Sequence, residues 1–336
     1  MNSQALVVYG DLSADIGLRI DEFPTAGLDT SATHQRVTTG GSAANCAVAA
    51  ARLGVRVELV ARVGDDLFAD LLIGDLERNG VGTSAVERTE GPSPLVVTLI
   101  DPRGQRSFVS ARGPASGSIP PEVFLPRLDD ASMVHLSGYS FQDPGSRSVA
   151  LHLLEEARRW EVPVSLDPSP LFAENYRTES GWMEGIDFLF PNLHEATAIT
   201  GRSSPEDSAR ALRGLGAEAV AVTMGADGCV VLDDSGLVRI PAITEFPVVD
   251  TTGAGDGFAG GFLAVTLAGG APAMAARVGT LVAARIISER GGHTGSPSLE
   301  ELGDLARSLG DEDLQEAAGM LPGTVRSGSP GGIQGS

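Results

Sequence analysis

Short apolar runs recur along this chain, and most of them stop at a glycine, an aspartate or an asparagine. Leu6–Gly10 is the first, followed by Asp11 and Asp15. Runs of this length bounded by turn residues predict buried strands. Val57–Ala61, Met133–Leu136, Pro163–Leu166, Ile186–Phe190 and Val220–Thr223 repeat the pattern, and Cys229–Leu232 turns back after the last. Helical patterns fall over Ser42–Gly54, Leu67–Asn79, Ser146–Trp160, Ala273–Ile287 and Leu299–Leu309. Such alternation predicts an α/β fold with a largely parallel sheet and helices on both faces. Four segments differ: Ile16–Phe23, Ala32–Thr38, Leu95–Ile100 and Arg106–Ala111 alternate apolar with polar residues and suit exposed, half-buried strands. The last two flank Asp101-Pro-Arg-Gly-Gln, a hairpin turn. From Gly310 the chain turns acidic and then Gly/Ser/Pro-rich, so residues 310–336 are expected to be a disordered tail behind a domain at 1–309.

The stretch Val249–Gly261, Val-Asp-Thr-Thr-Gly-Ala-Gly-Asp-Gly-Phe-Ala-Gly-Gly, concentrates the candidate chemistry. Glu245–Val249 reads as a short strand, and Phe258–Leu267 as a buried helix. Between them Gly253, Ala254 and Gly255 allow a tight bend and a close approach to the backbone. A helix N-terminus there offers free N–H groups to an anion, phosphate above all. Asp256 sits among those donors. It reads either as a dipole-complementing first-turn residue or as a general base that takes a proton from a substrate hydroxyl. The same stretch matches the G-x-G-x-x-G dinucleotide pattern, but no Asp or Glu lies between Gly257 and Ser288 to hold a ribose.

Other candidates are weaker alone. Asp15, past the end of the first strand, faces the usual ligand crevice of an α/β sheet, or else closes a turn. Gly41 precedes a helix that carries Asn45 one turn in. Arg106 and Arg112 bracket a strand from which either could reach an anion, or else they are solvated side chains on an exposed hairpin. Asn192-x-x-Glu195 opens a helix and reads as a capping box, or as a hard-oxygen group for Mg²⁺ and its waters. The five histidines show no metal-ligand spacing.

Composition then narrows the classes. A net charge of −20 disfavours nucleic acid and anionic membranes as partners. The chain has no lysine, which excludes Schiff-base chemistry and the P-loop. Phosphate binding therefore falls to backbone N–H groups, arginine or metal. Two cysteines suit a reducing compartment, no signal peptide is visible, and no apolar run is long enough for a membrane span. A cytoplasmic location is expected.

Taken in order, Gly-Gly-Ser-Ala-Ala-Asn at 40–45, Asn192-x-x-Glu195, Thr223-x-Gly225-x-x-Gly228 and Asp250-Thr-Thr-Gly-Ala-Gly-Asp256 resemble the ribokinase-like (PfkB) family of carbohydrate and nucleoside kinases. The resemblance covers residues 5–308. It implies a doubly wound α/β domain with a small β-sheet lid, inserted near 16–38 and 95–111. It implies Asp256 as catalytic base and Gly253, Ala254 and Gly255 as anion hole. Asp15, Gly41 and Asn45 are implied as sugar contacts; Arg106 or Arg112 is a candidate partner for a carboxylate on the acceptor. Asn192, Thr223, Gly225 and Gly228 are implied at the ATP site, and Glu195 at Mg²⁺ through water. Asp250, Thr252 and the loop around Ile286 and Gly291 resemble the family's monovalent-cation site, which takes K⁺. The expectation is ATP-dependent phosphorylation of a primary hydroxyl on a small sugar, with a homodimer formed through the lid. Ser42 stands where ribokinases usually have Lys, and Ser13 where they usually have Asn. A nucleoside acceptor, or a non-catalytic sensor on the same fold, is the alternative.

Overall fold

The computed structural model describes residues 5–113, 117–175, 183 and 185–322. In chain order the strands are β1 (Ala5–Tyr9), β2 (Ser13–Ile20), β3 (Ala32–Gly40), β4 (Arg56–Val63), β5 (Val81–Arg88), β6 (Leu95–Ile100), β7 (Arg106–Ala111), β8 (Ala131–Ser137), β9 (Val164–Asp167), β10 (Phe188–Leu189), β11 (Ala219–Thr223), β12 (Cys229–Asp233) and β13 (Gly236–Ile240). The helices are α1 (Ser42–Arg52), α2 (Leu67–Arg78), α3 (Pro121–Phe124), α4 (Pro144–Arg159), α5 (Pro170–Asn175), α6 (Leu193–Thr200), α7 (Pro205–Gly214), α8 (Ala254–Leu267), α9 (Pro272–Ile286), α10 (Leu299–Leu309) and α11 (Glu312–Met320).

The larger sheet has nine strands in the order β13-β12-β11-β10-β9-β8-β1-β4-β5. All neighbours are parallel except β11 with β12 and β12 with β13. Its strands are apolar on both faces because both are covered. Leu6 and Val8 of β1 enter one core with α1, α2, α8, α9, α10 and α11. Val7 and Tyr9 enter the other, with α4 to α7. β1 pairs with β8 on one side and β4 on the other. The chain winds outward from it in both directions, so the carboxyl ends of β1 and β8 open a crevice.

A second sheet, ordered β3-β2-β6-β7, lies over that crevice. β2 pairs parallel with β6, and the two outer pairings are antiparallel. It holds the four alternating segments of the sequence.

Under the crevice the helices pack backbone to backbone. A Cβ on Gly260 of α8 would lie 2.7 Å from the Cys46 carbonyl oxygen of α1, and one on Gly261 would lie 3.1 Å from Gly279 Cα of α9. Phe258 and Phe262 brace α8 against Phe190, with ring centroids 6.3 and 5.0 Å away.

Two expectations are corrected. Glu245–Val249 is not a strand. Pro247 lacks the N–H a ladder needs, and the amides of Val249 and Asp250 instead donate to the Ile287 carbonyl at 2.8 and 3.1 Å. Nor is 310–322 a disordered tail. Asp311 caps α11 by accepting from the Leu314 amide at 3.0 Å. Leu314, Ala317, Ala318 and Leu321 are buried in the core that holds α8, and Asp311 also binds Arg277. The remainder of the expected tail, 323–336, lies outside the described residues. At the usual 1.5–3 kcal/mol per buried leucine, Leu314 and Leu321 together contribute roughly 3–6 kcal/mol. A chain ending at Leu309 is therefore expected to unfold at a markedly lower temperature than one ending at Pro322; calorimetry of the two truncations checks this.

Candidate active site

α8 begins where Gly253 takes a left-handed conformation, φ 77°. A Cβ there would lie 1.8 Å from the Gly292 carbonyl oxygen, so only glycine fits. The turn sets the start of the helix, Ala254, Gly255 and Asp256, on the wall of a cavity of about 840 Å³, where first-turn amides have no partner within the helix. Asp256 lies in the first helical turn, and its Oδ2 accepts from Asn45 Nδ2 at 2.7 Å. Asn45 is held in turn by His293, whose Nδ1 meets Asn45 Oδ1 at 3.0 Å. The other ring nitrogen of His293 meets Asp75 Oδ2 at 3.0 Å. Because Asn45 spends its donor on Asp256, its oxygen must accept from His293, so the amide has one orientation.

The cavity runs between the two sheets. Asp15, Gly41, Asn45, Arg106, Asn192, Glu195 and 253–256 all border it. Asp15 Oδ1 accepts from Ser13 Oγ at 2.9 Å. A second cavity of about 540 Å³ is bordered by Thr223, Gly225, Asp227 and Arg239, and Asn192 borders both. Asn192 and Glu195 do form the capping box of α6, at 2.9 Å for both bonds, while facing the cavity as well.

Four of the expected residues, Gly228, Asp250, Ile286 and Gly291, border neither cavity. Gly228 is turned away, against the Ile240 carbonyl. Ile286 is buried in the core. Arg106 borders the cavity but spends its guanidinium on Asp250, Thr251 and Thr252. Arg112 also borders the cavity and pairs there with Asp143 at 3.0 Å.

Three groups escaped the sequence. Asp11 caps α1 from the end of β1, accepting from the amides of Ser42 and Ala43 at 2.9 and 3.4 Å and from Ser137 Oγ. Asp167 ends β9, with Oδ2 3.9 Å from where a Gly255 Cβ would lie. His293 is the third. Asp11 and Asp167 each follow an apolar strand, the signal that singled out Asp15; His293 carries none.

The carboxylates crowd one another. Burial pushes Asp256 up to about 6, against the pull of Asn45, and Asp11 and Asp15 add to the rise. Burial likewise lifts Asp15 to about 6 and Glu195 to about 7. Burial, then the charges of Glu195, Asp256 and Asp11, hold Asp167 well above the carboxylate range. Hard, mutually repelling oxygens around a cavity suit Mg²⁺ carried on phosphates and bound through water. Among the described residues no group of three or more such side chains forms a direct metal cage. If Asp256 is a general base, turnover is expected to fall tenfold per pH unit below about 6, since the proton-accepting form is lost there. A pH–rate profile flat through that range would exclude Asp256 as the base.

The sequence model of the pfkB family of carbohydrate kinases matches residues 3–299. The chain belongs to that family. This pfkB-family kinase is 31% identical over 301 residues to ribokinase from Bacillus subtilis, covering 89% of this chain and 98% of that protein. It is 29% identical over 307 residues to deoxyribokinase from Salmonella typhimurium, covering 89% and 97%. The crystal structure of ribokinase from Thermotoga maritima superposes with a TM-score of 0.78 at 26% identity, covering 90% of the kinase and 99% of that chain. The fold is ribokinase-like, and the chain is an ATP-dependent carbohydrate kinase. No helix among the described residues is long and apolar enough to cross a membrane.

Proposed function

We propose that this kinase transfers the γ-phosphoryl group of ATP to a primary hydroxyl of a small sugar held between the two sheets. The observation that carries the reading is the meeting of two cavities at Asn192, with Asp256 and the α8 amides on the acceptor side. The acceptor lies in the larger cavity, its ring hydroxyls donating to Asp15. Its reacting hydroxyl gives its proton to Asp256, which Asn45 holds in place. The nucleotide lies along Thr223 and Gly225, with its phosphates at Asn192. The amides of 254–256 stabilise the charge that develops on the transferring group, which is the main demand of phosphoryl transfer. Asn192, Glu195 and Asp167 are the residues that would hold Mg²⁺ and its waters. When bound, it would neutralise part of the phosphates' negative charge. The second sheet covers the cavity and keeps water from competing as acceptor.

Exposed Val37 and Val109, in one cross-strand row of that sheet, support a homodimer through the lid. Two buried free thiols support a reducing, cytoplasmic location.

The test is ADP release with ATP and Mg²⁺ over a panel of ribose, 2-deoxyribose, fructose, 2-keto-3-deoxygluconate and adenosine. Turnover of one sugar above the rest supports the reading and names the acceptor. Preference for adenosine moves it to a nucleoside kinase, and binding without turnover of any acceptor moves it to a sensor.

A further inference from the structure

Asp250 opens the loop that forms the anion hole, and the protein uses both of its oxygens. Oδ1 accepts from Arg106 Nη1 at 2.9 Å, from the Thr252 amide at 3.0 Å and from Thr252 Oγ1 at 2.7 Å. Oδ2 accepts from the Gly291 amide at 3.3 Å and from Arg36 Nη2 at 3.5 Å. Arg106 also donates to the hydroxyls of Thr251 and Thr252. Arg36 comes from β3 and Arg106 from β7, so both are supplied by the smaller sheet. The Asp250 carboxylate is 15% exposed, and the two arginines 29% and 28%.

Two positive charges thus meet one negative charge where the family resemblance places a monovalent cation. The donor set does not fit such an ion. A third positive charge would be repelled at contact distance by two guanidinium groups. Gly291 presents an N–H to Asp250. The Ile286 carbonyl already accepts from the Glu289 amide at 3.1 Å.

We propose that Arg106, backed by Arg36, does in this protein what a bound monovalent cation would do. It offsets the charge of Asp250 and ties residues 250–252 in place, so the amides of 254–256 stay aimed at the transferring group without K⁺. Arg106 is a positioning residue: it acts through the loop. Arginine suits this better than lysine would, because one planar fork reaches a carboxylate and two hydroxyls at once.

The inference rests on the kinase reading for its catalytic half, so two readouts are used. The first needs no substrate: thermal unfolding of the full chain in KCl against tetramethylammonium chloride at equal ionic strength. The wild type is expected to melt at the same temperature in both. Arg106→Gln is expected to melt lower in tetramethylammonium and to recover in KCl, because the vacated carboxylate then accepts the ion. The second is ADP formation with the sugar that turns over. The wild-type rate should agree within about twofold between the salts, and Arg106→Gln should lose roughly tenfold or more without K⁺ and regain most of it with K⁺. Selective stabilisation or tenfold activation of the wild type by K⁺ overturns the inference. So does an Arg106→Gln loss that K⁺ does not restore. If Arg106→Gln fails to fold, the wild-type comparison decides alone. If no acceptor turns over, the kinase reading fails while the melting curves still judge the arginines.

Discussion

Replacing Asp256 by Asn is expected to lower kcat by roughly 10²–10⁴-fold and to leave the acceptor KM nearly unchanged. The Asn side chain has the same shape, and its oxygen still accepts from Asn45 Nδ2, so the cavity wall keeps its form. What is lost is the group proposed to take the proton. Stability should move the other way. The folded protein raises Asp256 from 3.8 to about 6, so the fold binds that proton more tightly than the unfolded chain does. Its contribution is fully favourable below 3.8 and is lost as pH rises through about 6. At pH 8 the ionised carboxylate therefore costs up to about 3 kcal/mol that the Asn variant avoids. Calorimetry at pH 8 should show a higher Tm for Asp256→Asn, with the gain vanishing in acid. Equal kcat in variant and wild type would remove Asp256 from the mechanism, whatever the melting curves show.

Gly253→Ala carries the second large effect. Its left-handed backbone disfavours any side chain by about 1–2 kcal/mol, and the new methyl meets the Gly292 carbonyl. That collision costs about 1–3 kcal/mol more as the two segments move apart. The first amides of α8 swing with it, and loss of such donors lowers kcat by roughly 10²–10³-fold. Gly255→Ala is the control. Nothing lies nearer to its Cβ position than Asp167 Oδ2 at 3.9 Å, so its melting temperature should stay close to that of the wild type. Similar Tm losses in both variants would mean that the loop is merely intolerant of substitution.

Both arguments depend on a stretch that was readable in the sequence. Gly253-Ala-Gly-Asp256 announced itself because small residues and a lone acid sat between two apolar runs. The central strands were readable for a similar reason: a doubly covered sheet makes them plain apolar runs. β5 was not, since only Val81 and Ala85 of its eight residues are fully buried and Gly, Ser and Thr fill much of the rest. α11 was missed although Leu314, Ala317, Ala318 and Leu321 stand at helical spacing, because the acids around them resembled a solvated tail. The contacts between Asn45 and His293, 248 residues apart, and between Arg106 and Asp250, 144 apart, exist only once two sheets and three helices have docked. No local pattern encodes them.

The backbone-to-backbone packing of α1, α8 and α9 has a consequence for how the protein responds to temperature. Asn45 rides on α1 and Asp256 on α8, and glycines at their contact leave no compressible side-chain layer between them. Their alignment is fixed when the chain folds and is not rebuilt in each cycle. The smaller sheet meets that layer through side chains instead, Arg36 and Arg106 on Asp250 among them, and is the part more easily shifted. Warming or cooling should then change how often that sheet opens far more than how well base and hydroxyl line up, and adaptation of this kinase to a colder or hotter setting would be written in β2, β3, β6 and β7.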